Sequence, residues 1–302
     1  MSDQTALRRQ RLTGIALMCA AVSMFSCLDT TAKYLVQTMD PLQVTWARYA
    51  GAFMLVLIYL NPLKRPGVMV TQRPLLQIGR SLLLLGSSAC NFFAVRYLQL
   101  DEALAILFST PFMVAVLSSR FLGERVGWQR WIAIAVGFVG VLLVTRPGMG
   151  GMHPAALISV GGAICYTLYS VLTRLLARTD STETTTFYTN MVGAVVMTPV
   201  VYFVWTAPQS IFLAFLMGVT GFFGGFGHYL LVRGHRLAPA STLSPFIYTQ
   251  MIWTSTLGFL VFGDVPHFWT VVGSVVVIGS GLYLLHHERK VGRTMVQAEE
   301  NQ

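Results

Sequence analysis

Charge is what this chain has least of. Of its 302 residues only 11% are Asp, Glu, Lys or Arg, while 54% are hydrophobic; a soluble domain carries about 25% charged residues. A water-soluble fold of this composition lacks the polar surface to cover itself. Cysteine is scarce too: Cys19, Cys27, Cys90 and Cys165 all fall in apolar segments with no CxxC or metal-ligand spacing. That excludes a disulfide framework and a cysteine metal site and leaves small packing residues. Catalytic signatures are missing as well, with no HExxH, GxSxG, lipid-phosphate or Walker motif anywhere in the chain. Acids are outnumbered 12 to 21 by Lys and Arg, but the basic residues sit in short clusters between apolar runs and form no nucleic-acid stripe. They read as topological signals beside an anionic leaflet.

What the chain does have is ten apolar stretches. At about 20 residues per crossing, spans are expected at 12–36, 41–60, 75–97, 102–122, 128–145, 155–177, 184–205, 210–233, 240–262 and 267–286. Arg8, Arg9 and Arg11 before the first run resemble a signal peptide, but the run to Val36 is too long for one and no small-x-small cleavage site precedes Asp29. It is read as an uncleaved first span. Counting Lys and Arg, one set of connections carries nearly all of them and the other only Lys33, Arg96 and Arg146. Both termini are therefore expected in the cytoplasm, with multi-pass insertion in the membrane.

The last five spans repeat the first five. Asn91, Phe92, Val95, Arg96 and Ala103 line up at one constant offset with His228, Tyr229, Val232, Arg233 and Ala240. After a small length difference Gly123-Glu124 meets Gly263-Asp264, Gly137 and Gly140 approximately match Gly279 and Gly281, and Ala16-Leu17 matches Ala156-Leu157. A unit of five crossings must begin its second copy from the opposite side, so the repeats are inverted, as in many alternating-access carriers. The expected fold is an all-α integral membrane protein with a tail at 1–11, a first repeat at 12–145, a second at 155–286 and a tail at 287–302.

On Ala32-Lys33-Tyr34-Leu35, Arg48-Tyr49, the block from Ala103 through Pro111 to Gly123-Glu124-Arg125, Leu237-Ala238-Pro239-Ala240, Pro245 and Gly263-Asp264, the chain resembles the drug/metabolite transporter superfamily, EamA type. Asp264 departs from the Glu frequent there, with the charge kept. The resemblance implies a secondary transporter of the inner (cytoplasmic) membrane with a central cavity between the halves. It places spans 5 and 10 at the back of the bundle or at a homodimer contact.

Ionisable and polar groups inside spans point to that cavity, because a charge there costs roughly 2.5–3.5 kcal/mol on insertion scales. Asp29 and Lys33 lie four apart, on one helical face; either they form an interfacial pair or Asp29 serves a cationic substrate group or a coupling proton. Arg48, about two turns inside span 2, either binds a substrate anion or pairs with Asp29. Asn91 and His228 hold equivalent repeat positions and flank the cavity, with Asp29 and His228 as proton-coupling candidates. Tyr166, Tyr169 and Tyr248, with Gln250 beside them, are the aromatic candidates, since buried Tyr hydroxyls need partners. Arg80, Arg96 and Arg233 are read first as topology or gate residues. Gly221 and Gly225, a GxxxG pair, and the prolines Pro111 and Pro245 are hinge candidates; static kinking is the alternative.

The expected function is a secondary transporter for a small polar metabolite, an amino acid, a nucleotide-like metabolite or a vitamin such as riboflavin. An intramembrane enzyme or a channel is the alternative. No catalytic residue, cofactor, metal or nucleic-acid partner is expected; the partners are a small molecule and the lipid bilayer.

Overall fold

The computed structural model describes residues 2–62, 64–122, 128–146, 153–176, 179–238, 243 and 246–300. Among these residues every regular element is helical. The elements are α1 Ser2–Leu35, α2 Pro41–Leu60, α3 Pro74–Val95, α4 Leu100–Leu107, α5 Thr110–Leu122 and α6 Trp128–Thr145 in the first half. The second half holds α7 Ala155–Leu176, α8 Thr182–Val204, α9 Ile211–Leu237, α10 Gln250–Phe262 and α11 Phe268–Glu300. Six helices are long and apolar enough to cross a membrane alone. The remaining four crossings are α4 with α5, α6, the segment ending in α10, and α11, which completes ten spans in two inverted repeats.

Local chemistry starts and stops these helices where chain reversal is needed. Asp40 accepts the Leu42 N–H at 2.8 Å and Pro41 opens α2, whose far end closes on Asn61 in the left-handed region. Ser181 and Ser210 cap α8 and α9 through the Thr184 and Leu213 N–H groups. Gln43, fully buried, holds the α8–α9 connection from both sides: its amide donates to the Thr206 carbonyl at 2.8 Å and its oxygen accepts the Thr206 N–H at 2.9 Å.

Packing follows the repeat. α1 lies against α9 and α3 against α7, the same contact with the halves exchanged. Likewise α2 with α9 corresponds to α8 with α3, and α1 with α10 corresponds to α7 with α4 and α5. Two contacts map onto themselves, α2 with α8 and α6 with α11. A two-fold relation between the halves exchanges these pairs. Small residues set the closest crossings, because lipid supplies no hydrophobic drive and helices associate by close fit. A Cβ on Gly51 of α2 meets the Gly221 Cα of α9 at 2.9 Å, and one on Gly140 of α6 meets the Gly273 carbonyl of α11 at 3.0 Å. The α6–α11 pair packs against α4 and contributes no residue to the cavity described below.

The two spans drawn as continuous at 102–122 and 240–262 are interrupted. The first breaks at Phe108–Ser109, between α4 and α5, and the second at Tyr248–Thr249, just before α10. Pro111 therefore sits in the first turn of α5, where its missing N–H costs nothing. Pro245 lies outside the described residues. Helix also extends into both expected tails, from Ser2 and as far as Glu300.

Candidate functional site

A cavity of about 140 Å³ lies where α1, α2, α3, α7 and α9 converge with the ends of α4 and α10. Asp29, Arg48, Asn91, Tyr166, His228 and Gln250 all line it. Asp29 Oδ1 accepts from Asn91 Nδ2 at 3.0 Å, which fixes the carboxylate and leaves its second oxygen without a described partner. Arg48 donates Nη1 to Ser88 Oγ, and that hydroxyl also meets Tyr49 OH at 3.1 Å and donates to the Leu84 carbonyl. The guanidinium rests 5.0 Å from the Tyr49 ring centre and 6.0 Å from that of Phe92. Aromatic faces and one hydroxyl hold it in place and leave the other donors available.

Neither expected partner of Asp29 is bonded to it. Lys33 Nζ reaches Asp264 at 2.6 Å instead, over the Phe262 ring, and the other ion pair among the described residues is Arg236 with Glu183. Asp29 and Arg48 thus face one cavity with opposite charges and no mutual salt bridge. Lys33, one turn along α1, spends its charge on the loop after α10. Intrahelical spacing permitted the Asp29–Lys33 pair, but the tertiary fold offers Lys33 a closer acid.

Asn91 and His228, matched by the repeat, do flank the cavity on α3 and α9. The His228 ring meets Phe25 edge-on at 5.0 Å. Gln250 opens α10, and its carbonyl faces the Ser26 hydroxyl, which also meets Thr254 Oγ1 at 2.9 Å, tying α10 to α1 beside the site.

Two of the candidate tyrosines stand elsewhere. Tyr248 belongs to the core around the helix breaks, edge-on to Phe108 at 5.1 Å, with its hydroxyl against Gly281 of α11. Tyr169 is engaged by Arg80, whose Nη2 donates to its hydroxyl at 3.0 Å; its ring stays 5.5 Å from that of Tyr166. Arg80 itself is no surface topology residue. It is 3% exposed and donates to Thr173 at 2.7 Å, Thr189 at 2.9 Å and the Thr185 carbonyl, joining α3, α7 and α8. One turn nearer the end that carries both termini, Gln77 donates to Asp180 at 2.7 Å, and Thr71 and the Gln72 N–H add bonds to the same carboxylate. Burial acts to raise the Asp180 pKa, but these donors, with Thr179, outweigh it and hold the group below the usual carboxylate range. On that side of the cavity neutral hydroxyls surround one cation, with a capped carboxylate one turn further on.

Ser87, Ser88 and Ser159 also line the cavity, and sequence reasoning passed over them. Their signal was available: Ser87 and Ser88 stand four and three residues before Asn91, on the same face of α3. Of the hinge candidates, Gly221 fills the α2–α9 crossing and Gly225 packs against Leu55 and Ala52 below it. Among the described residues no group of three His, Cys, Asp or Glu side chains is placed to share a metal ion. The chemistry on offer is recognition: one anion, one cation, amide groups and aromatic faces.

The sequence pattern of the EamA-like transporter family matches this chain twice, over residues 12–146 and 153–285. An S-adenosylmethionine uptake transporter of Rickettsia felis is 26% identical over 92% of this chain and 94% of its own length. A riboflavin transporter of Vibrio cholerae is 24% identical over 95% and 98%. A pseudopaline exporter of Pseudomonas aeruginosa is 23% identical over 88% and 93%. One solved crystal structure superposes with a TM-score of 0.63 over 94% of this chain and 99% of that one, at 15% identity, a likeness of fold.

Proposed function

Because this chain belongs to the EamA-like transporter family, and so is a multi-pass small-molecule transporter rather than an enzyme, we propose that it is a secondary carrier of a zwitterionic metabolite across the inner membrane. The observation that carries this reading is the unpaired opposition of Asp29 and Arg48 across one cavity. An amino-acid head group places its ammonium on Asp29 and its carboxylate on Arg48. Tyr166 and Phe92 offer faces to a ring, and Asn91, His228 and Gln250 offer hydrogen bonds. The relatives named for S-adenosylmethionine and riboflavin support a solute that combines a planar ring with polar groups.

At about 140 Å³ the cavity is narrower than the ~300 Å³ at which small-molecule pockets begin. A ring-bearing solute therefore requires the halves to part, which alternating access supplies. The two-fold exchange of helix contacts gives that motion two equivalent end states. Both termini face the cytoplasm in this reading, and Asp29 and His228 are the groups that exchange a coupling proton.

Uptake in proteoliposomes tests the reading. Asp29→Asn and Arg48→Ala should each reduce S-adenosylmethionine or amino-acid uptake at least tenfold with membrane insertion unchanged, the scale of a lost charged contact. Full uptake in both variants removes these residues from the site. An imposed pH gradient should change the uptake rate; no response leaves exchange or facilitated diffusion as the mode.

A further inference from the structure

A second and larger hollow lies outside the transport cavity. α2 and α9 run side by side and touch at Gly51 and Gly221, so closely that neither position has room for a side chain. Beyond that crossing, toward the end that carries both termini, a hollow lies between them. It is a groove of about 380 Å³ between α2 and α9, floored by the first turn of α8. Its walls are apolar and aromatic. Phe222 stacks on Phe226 at 5.3 Å, Phe226 on Tyr229 at 6.0 Å, and Tyr229 meets Tyr59 edge-on at 5.0 Å. Ile58 is 78% exposed and Tyr59 61%, so the groove opens sideways toward lipid.

The mouth has a different character. Arg233 and Arg236 lie one turn apart at the end of α9, and both line the groove. Arg236 pairs with Glu183, the acid in the groove wall, while Arg233 is exposed and has no partner among the described residues. Arg65 stands near enough to Glu183 to act on its charge. Three cations against one carboxylate leave the mouth net positive. An apolar slot that opens to lipid beneath a net positive rim has the two-part chemistry of a phospholipid. Basic pockets between spans on the cytoplasmic side are known sites for anionic head groups.

We propose that this groove is a binding site for an anionic phospholipid of the leaflet on that side, with an acyl chain along Phe222, Phe226 and Tyr59 and the phosphate on Arg233 and Arg236. His228 stands in the wall shared by the groove and the transport cavity. A lipid in the groove therefore abuts a residue that lines the transport cavity.

Native mass spectrometry of the full chain tests the site, with dioleoyl-phosphatidylglycerol and dioleoyl-phosphatidylcholine offered in equal amounts. The phosphatidylglycerol adduct should be retained preferentially, and R233A/R236A should lower its retention about tenfold, to the level of phosphatidylcholine. Arg73→Ala, on the same end of the bundle but outside the groove, should leave retention unchanged. Arg233→Ala alone disturbs no described contact and should show part of the loss, which keeps the test open if the double variant misfolds. Phe226→Trp, which fills the slot and spares the charges, should also expel the lipid. Equal retention of the two lipids, or retention untouched by R233A/R236A and by Phe226→Trp, overturns the proposal. So does displacement by millimolar glycerol 3-phosphate, since that shows an anion site with no need of a chain. A dimer that forms in place of the lipid adduct also overturns it, because a second copy then covers the groove.

Discussion

The two interrupted spans break at matching places for different local reasons. Phe108–Ser109 and Tyr248–Thr249 differ by 140 residues, the offset that also aligns Gly123-Glu124 with Gly263-Asp264. Backbone bonds match as well: Phe112 N–H reaches the Ser109 carbonyl, and Ile252 N–H reaches that of Thr249. In both breaks hydroxyls take carbonyls three residues back, from Ser109 and Thr110 in one and from Thr249 in the other. Yet a proline follows closely only in the first, where Pro111 stands two residues after the break; the second is followed by Gln250, Met251 and Ile252. Phe108 and Tyr248, equivalent by the repeat, pack on each other. The two breaks thus meet where the halves join, with Pro111 after the first in sequence and Pro245 before the second.

The largest effect should come from removing the ring pair that joins the breaks. Phe108→Ala and Tyr248→Ala are each expected to destabilise by roughly 2–4 kcal/mol, the packing cost of a large-to-small change. A double-mutant cycle on thermal unfolding should show coupling of about 1 kcal/mol. Additive losses would mean that the two breaks do not depend on one another. Next in size is Ser109→Ala with Thr249→Ala, each removing a hydroxyl bond within a span and leaving its carbonyl to the N–H of the same residue, at about 1 kcal/mol per site. Loss at one site alone would divide the two breaks. Pro111→Ala should be smaller still, with transport within about twofold of wild type, because Pro111 occupies a first-turn position that needs no N–H. Abolished transport would return proline to the role of hinge.

The smallest effect sits at the end that carries both termini. Asp180 has a lowered pKa in the folded protein, so its contribution is present above the usual carboxylate range and disappears as pH falls through the folded value. Asp180→Asn should therefore lower the melting temperature by about 2 °C at pH 7 and by less at pH 3. An equal shift at both pH values would show that the carboxylate's charge is immaterial there.

Hydropathy carried most of the fold, since a bilayer demands continuous apolar helices and leaves little freedom in their number or order. The helix breaks were hidden because Phe108 and Tyr248 are aromatic residues in largely apolar runs, and the contact that joins them is a tertiary one. In the site, Asp29, Arg48, Asn91 and His228 stood out because polar groups in hydrocarbon are costly enough to need a purpose. Ser87 and Ser88 did not, since a serine satisfies its own helix backbone cheaply. Tyr169 and Tyr248 show the opposite difficulty. A span tyrosine needs a partner, but sequence cannot say whether that partner is a solute, the buried Arg80 or a neighbouring helix. Lys33 shows the same with charge, choosing Asp264 across 231 residues over Asp29 one turn away.

The most direct measurement is equilibrium binding of radiolabelled S-adenosylmethionine to purified wild-type, Asp29→Asn and Arg48→Ala protein, with Arg96→Ala as the distant control. If opposed charges in one cavity hold a zwitterion, both site variants lose at least about tenfold in affinity and the control binds as wild type. Equal affinity in all four proteins would contradict recognition by that pair.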